Sequence, residues 1–208
     1  LPTSDQIRAV QQLMGPDKFE LLENNRVRVL NPGVQLTIDS IADGYAGDEA
    51  ARILRARGFA NFLVDTTGEL YAGGHSCEGR PWQVGVKDPR DPFGGRVVDV
   101  LILRDMAVTT SGNYEHFYTI GEKKYSHVIS PKTGFPREDI ISATVIAPNT
   151  EISDFLSTAL CLLDPRKGAA LVDALGEGYA SIVLIDTGDG RVTSKESRRY
   201  RRYLRRQP

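Results

Sequence analysis

The 208-residue sequence predicts an α+β fold, with mixed and antiparallel sheets packed against helices. Three observations carry that reading. Stretches of helical period alternate with short β-branched runs, Gly, Pro and Asn punctuate the joins, and 40% of the residues are hydrophobic. That content suits one substantial core or two small ones. There is no internal repeat and no clear linker, so residues 1–208 read as one domain, with a basic tail over 191–208.

The elements follow in order. Thr3-Ser4 opens a helical pattern with Ile7, Val10 and Leu13 on one face, which should stop near Gly15-Pro16. Phe19–Leu22 and residues 27–30 flank Asn24-Asn25, a hairpin turn because Asn tolerates positive φ. Residues 35–38 read as extended. A helix should run from 41 to 57, ended by Gly58. Residues 61–65 form a buried strand, and Gly68, Gly73 and Gly74 mark turns after it. Residues 82–86 and Val97–Leu103 are strands separated by a polar stretch over 87–95. Residues 118–120 and 125–129 could pair as a hairpin, 143–147 is a strand, and helices are predicted over 151–163 and 165–175. Residues 181–185 form a last buried strand.

No run approaches the roughly 20 apolar residues that span a bilayer. The first residues, Leu1-Pro2-Thr3, show neither the basic start nor the apolar stretch of a signal peptide. Cys77 and Cys161 form no CxxC pair and say little about redox compartment. The formal net charge of −1 hides an asymmetry, because Lys195, Arg198, Arg199, Arg201, Arg202, Arg205 and Arg206 face only Glu196. Such a terminus suits an anionic membrane surface or nucleic acid; a solvated, partly disordered tail is the commoner reading.

Chemistry concentrates in two places. In the helix over 151–163, Ile152, Phe155, Leu156, Ala159, Leu160 and Leu163 can form the buried face. Asp154 and Thr158 then sit one turn apart on another face, where two oxygens can meet one hard cation such as magnesium. Alone the pair also fits helix-dipole pairing and hydroxyl back-bonding. His127 enters a Pro/Gly-punctuated loop, Pro131-Lys132-Thr133-Gly134, from an apparent strand, and a neutral imidazole there could act as general base on a hydroxyl. The segment Thr109-Thr110-Ser111-Gly112-Asn113-Tyr114 offers hydroxyls and exposed amides to an anion.

Two other patterns fail. Ser111-Gly112-Asn113 with Lys132-Thr133-Gly134 lacks the Ser-x-x-Lys nucleophile of penicillin-recognising enzymes, and His75-Ser76-Cys77 has no second close pair of zinc ligands. Neither Walker A nor Rossmann glycines occur.

Taken together, Ile38-x-x-Ile41-Ala42-x-Gly44-Tyr45-Ala46-x-Asp48, Thr110–Tyr114, Tyr125-Ser126-His127-Val128-Ile129-x-Pro131-Lys132-Thr133-Gly134-x-Pro136, Ala147-Pro148 and Asp154-x-x-x-Thr158-Ala159-Leu160 resemble the ApbE family. The resemblance implies a T-fold-like architecture and a FAD:protein FMN transferase. Such an enzyme uses magnesium and FAD to place FMN on a Thr or Ser of a target protein, and releases AMP. It implies Asp154, Thr158 and the loop residue Ser40 as metal ligands, and His127 as the base. It further implies nucleotide contacts at Thr37, Asp43, Thr110, Ser111, Gly112 and Ile129, partners limited to FAD and a flavin-accepting protein without nucleic acid, and an extracytoplasmic, lipoprotein-like location with peripheral membrane association.

Departures accompany it: Thr37 replaces the family's acid, Asp43 stands where a Lys is usual, Asp65-Thr66-Thr67-Gly68-Glu69 replaces Asn-x-Gly-Gly-Asp, and Ser130 replaces an Asp. The family's N-terminal part, with further flavin contacts, is expected and not seen in this sequence. A non-catalytic flavin-nucleotide binder, or a pyrophosphatase giving FMN and AMP, are the alternatives.

Overall fold

In the computed structural model, residues 1–91, 94–113 and 117–205 are described; Tyr114 of the Thr110–Tyr114 motif and Arg206 of the basic terminus lie outside them. Thr3 caps α1 (Ser4–Gln11) in a complete capping box with Gln6. No α1 residue is buried, so its apolar stripe does not face the core. The hairpin of β1 (Phe19–Leu22) and β2 (Arg26–Val29) turns through Asn24 and Asn25 at φ of 60° and 55°, as expected. Residues 35–38 are not a strand. Instead the Thr37 hydroxyl accepts the Asp39 amide at 3.2 Å and starts α2 (Asp39–Ala56) two residues earlier than its periodicity suggests.

A six-stranded sheet organises the rest, and every described pairing in it is antiparallel. Its strands are β3 (Phe62–Thr66), β4 (Glu69–Gly73), β7 (Met106–Gly112), β10 (Ile140–Ala147), β11 (Ala180–Asp186) and β12 (Val192–Glu196), in the order β12-β11-β10-β7-β4-β3. β3 is an edge strand with alternating burial, not the buried strand expected. Its turn to β4 uses Thr67 and Gly68, both at positive φ. β5 (Trp82–Lys87) and β6 (Val97–Leu103) pair separately, as do β8 (Phe117–Ile120) and β9 (Lys123–Ser126).

Period-two alternation gives the sheet two packed faces, and beside the clusters below Ala51 of α2 packs with Phe62, Tyr71 and Ala107 in a third. On one face Val108, Ile146, Ile182 and Leu184 pack with Val86, Leu101 and Leu103 of the β5–β6 hairpin. On the other, Ala143, Val145 and Val183 pack with Leu156 and Leu160 of α3 (Thr150–Leu160) and Val172 of α4 (Pro165–Ala174). The α4 start is capped by Asp164, which accepts from the Arg166 and Lys167 amides.

As far as Arg205 the basic terminus is not a loose tail. Tyr200 is fully buried in the hairpin-side core and donates to Asp99 at 2.9 Å, and burial pushes its phenol pKa up. Arg199 and Arg202 pair with Glu177, and Arg201 with Glu196. Exposed pairs contribute little, so this segment is held by the buried ring, the largely buried Arg199, and backbone bonds from Arg198 to Asp173 and from Arg205 to the Val100 carbonyl.

Candidate functional site

The site forms where α2 crosses α3 at glycine contacts. A Cβ on Gly44 would stand 2.7 Å from the Thr150 carbonyl oxygen and 2.9 Å from the Asp154 Cβ, and one on Gly47 would stand 2.9 Å from the Thr150 hydroxyl. Only glycine permits that approach. Asp48 fixes the crossing: its carboxylate accepts from the Thr150 and Glu151 amides at 2.8 and 3.0 Å. It thus caps α3, a task that the N-cap Asn149 side chain does not perform.

α3 lies on β7 through hydroxyls. Thr109 and Ser153 share a hydrogen bond of 2.8 Å, Ser111 and Ser157 one of 2.7 Å, and Ser111 reaches Thr158 at 3.2 Å. The buried residues of α3 are Thr150, Ser153, Asp154, Leu156, Ser157 and Leu160, whereas Phe155 is 54% exposed. The face expected from hydrophobicity is therefore rotated. Small hydroxyl side chains can be buried because each finds a partner across the helix–sheet contact.

Asp154 is 6% exposed and receives the Gly44 amide at 3.1 Å. Burial raises its carboxyl pKa, the Gly44 hydrogen bond opposes that, and the Asp43 charge adds to it. Nearby, Thr66 donates to the Asp43 carbonyl at 2.9 Å, and the Thr67 hydroxyl lies 3.4 Å from an Asp43 carboxylate oxygen and 3.3 Å from one of Glu69. Burial first, then the charges of Asp154 and Asp43, push Glu69 up to about 7. Asp43 and Asp154 thus add like charge to each other's surroundings and to those of Glu69, although no three His, Cys, Asp or Glu among the described residues form a ready metal cage. The carboxylate of Asp154 and the hydroxyls of Thr158 and of Ser40, one helical turn before Gly44 on α2, are oxygen donors of the kind a hard cation takes.

The other expected residues divide. Thr37 and Ser40 are exposed at the start of α2. Ser111 and Gly112 belong to β7, whose register with β10 (Ser111↔Ala143, Gly112↔Ser142) makes this stretch a strand, not the loop of free amides expected. β4 pairs with β7 only up to Leu70↔Val108, so residues 109–112 keep one edge that β4 does not cover. Thr110 points to the opposite face from Ser111, bonds Thr144 at 2.8 Å, and lines a cavity of about 180 Å³ with Val84, Val86 and Leu101. That is smaller than ordinary ligand pockets and is separated from Asp154 by the sheet, so Thr110 does not join the Asp154 site.

His127 lies just beyond β9, not within a strand, and is exposed. Its neighbour Val128 is buried in the same apolar cluster as Leu156 and Leu160 of α3, which ties the histidine segment to α3. Ile129 is 48% exposed. The turn that follows closes through the Gly134 amide on the Ser130 carbonyl at 2.8 Å. Ser153, Ser157 and Thr67 escaped the sequence reading; the stripe Thr150-Ser153-Ser157, at helical spacing, was the available signal.

Residues 1–183 match the ApbE family. The chain is 35% identical over 201 residues to the FAD:protein FMN transferase of Haemophilus influenzae, covering 94% of this chain and 57% of that protein. To the Escherichia coli K12 protein of the same name it is 32% identical, with 91% and 54% covered. Among solved structures it is similar to the ApbE protein of Thermotoga maritima (TM-score 0.86, 29% identity, 99% of this chain and 65% of that one). It is also similar to the Pseudomonas stutzeri flavinyl transferase ApbE in its apo form (TM-score 0.81, 32% identity, 98% and 62%). The chain thus spans somewhat more than half the length of the curated relatives it matches.

Proposed function

The chain belongs to the ApbE family, and on that premise we propose that it carries the metal and transfer machinery of a FAD:protein FMN transferase. The observation that carries the reading is the buried Asp154 carboxylate at the α2–α3 crossing, facing Asp43 and Glu69, where a bound divalent cation would relieve like-charge repulsion. Magnesium, when bound there, would neutralise the pyrophosphate and the charge developing on departing AMP. Asp154 and Thr158, with Ser40, would hold it.

In the proposed reaction a Thr or Ser hydroxyl of the acceptor attacks the FMN-side phosphorus of FAD. A P–O ester bond forms to the acceptor, the pyrophosphate P–O bond breaks, and its electron pair leaves on AMP. His127 takes the hydroxyl proton. Its exposed position beyond β9 leaves it open to an incoming protein segment, and Val128 keeps it against α3. The uncovered edge of β7 over 109–112, beside Ser111 and Gly112, offers amides to the nucleotide's phosphates. We place the protein outside the cytoplasm on the same premise; cell fractionation tests that separately.

The test is incubation of the full gene product with FAD, magnesium and a Thr-containing acceptor peptide, read by mass spectrometry. FMN addition to the peptide with AMP release is the expected result. AMP release without peptide modification would replace transfer with hydrolysis, and tight FAD binding without AMP release would leave a binding protein.

A further inference from the structure

α1 is an eight-residue helix with no buried residue, too short to be stable on its own merits in water. Its capping box satisfies its first turn, and its interactions with distant sequence fall on the turn after His127. The Gln11 side-chain amide donates to two successive carbonyls of that turn, Pro131 at 3.1 Å and Lys132 at 3.0 Å. One turn earlier on the same helix face, the Ile7 Cγ2 lies 2.3 Å from where a Gly134 Cβ would stand. Gly134 is also at φ +74°, so the turn excludes a side chain there for two independent reasons.

The chemistry of the turn explains the contact. Ser130 and Phe135 are paired backbone to backbone at 3.0 Å, and Ser130 and Gly134 at 2.8 Å. The carbonyls of Pro131 and Lys132 lie at the tip, and Pro131 contributes no N–H to an internal ladder. Both take the Gln11 amide as donor. On its other side the segment is anchored by Val128 in the core, so Ile129 and Ser130 are held between a buried side chain and a helix reached across about 120 residues of sequence.

We propose that Gln11 is a positioning residue, and that α1 acts as a strap on the turn after His127, setting the Ile129–Ser130 backbone where the ApbE resemblance implies a nucleotide contact. The proposal rests on the transferase reading above for its functional half. Its structural half stands on Gln11 and Gly134 alone. A strap of this kind acts on nucleotide binding more than on the proton transfer at His127, which precedes the Val128 anchor.

The experiment uses Gln11→Met, which keeps the length of the side chain and removes the donor, and Gln11→Arg, which restores N–H donors. Hydrogen exchange of the Ser130 and Gly134 amides is read beside the KM for FAD, kcat and melting temperature. For Gln11→Met, exchange of those two amides should rise about tenfold, the loss expected for removing a hydrogen-bonding contact. KM for FAD should rise several fold with kcat within about twofold, since the contact serves binding in ground and transition state alike. Gln11→Arg should recover both. Unchanged exchange in Gln11→Met would overturn the strap, and faster exchange with an unchanged KM would overturn the positioning role. If the parent enzyme turns over FAD no faster than His127→Ala, the transferase reading itself fails, and that is seen before any Gln11 variant is compared.

Discussion

Asp88 and Asp154 are both nearly inaccessible, at 1% and 6% exposure, yet the two sit in opposite electrostatic situations. Asp88, at the end of the β5–β6 hairpin, is complete. Arg90 grips it with two side-chain hydrogen bonds of 2.8 and 2.7 Å and a backbone amide at 3.0 Å, and holds its pKa down at about 2. Asp154 receives one amide and faces Asp43, so its pKa is raised. Burial is the leading influence on Asp154, whereas at Asp88 the Arg90 hydrogen bonds outweigh it; what differs is whether the chain supplies the countercharge. Where it does, the acid belongs to the fold. Where it does not, the acid is a candidate for function, as proposed for Asp154.

Replacing His127 breaks the comparison most severely if the chemistry does not lie on the Asp154 side. A general base typically contributes about 10²- to 10⁴-fold in rate. His127→Ala should lose transfer by that order while keeping FAD affinity and melting temperature, measured by single-turnover assay and thermal unfolding. A rate within a few fold of the parent would remove the histidine from the reaction.

Asp88→Asn sharpens the same contrast from the other side. Losing charge-assisted bonds to Arg90 should cost about 2 kcal/mol in urea unfolding. Transfer activity, assayed well below the transition, should stay within about twofold.

The pH dependence follows with opposite signs. Asp88 is depressed, so its contribution is present above the unfolded value of 3.8 and is lost as pH falls toward about 2. Glu69 is raised to about 7, so its protonated form favours the fold, and stability without metal should decline as pH rises from 4.5 through 7. Asp154 acts in the same direction from its unfolded value of 3.8 upward. Unfolding in chelator at pH 5 and pH 8 should therefore show the metal-free protein weaker at pH 8, with magnesium restoring more at pH 8 than at pH 5. Equal stability at the two pH values in chelator would show the acids to be relieved by groups of the chain. The smallest effect is that of Asp154→Asn in chelator at pH 8, which should leave stability unchanged or raise it by about 1 kcal/mol, because an amide removes the repulsion and keeps the shape.

What was legible in the sequence was local. Thr3, Asn24-Asn25 and Gly58 mark their cap and turns because the chemistry lies within a few residues, and all three positions hold. The strands β4, β7 and β12 were not legible, since Glu69–Gly73 and Met106–Gly112 take their state from neighbours far along the chain. Tyr200 shows the same limit. Its surrounding arginines outweigh it in any reading of composition, yet the ring is buried and Asp99 receives its hydroxyl. For the candidate site, the helix that sets Asp154 and Thr158 one turn apart was readable. The burial of Ser153 and Ser157 was not, because hydroxyls become core residues only when Thr109 and Ser111 stand opposite.

Calorimetric titration of magnesium into the protein with FAD, for the parent and for Asp154→Ala, tests the central claim most directly. The account predicts one divalent-ion site in the parent, with proton release that increases as the pH is lowered below about 7, and loss of that site in Asp154→Ala. Asp154→Ala binding magnesium and FAD as tightly as the parent would contradict it.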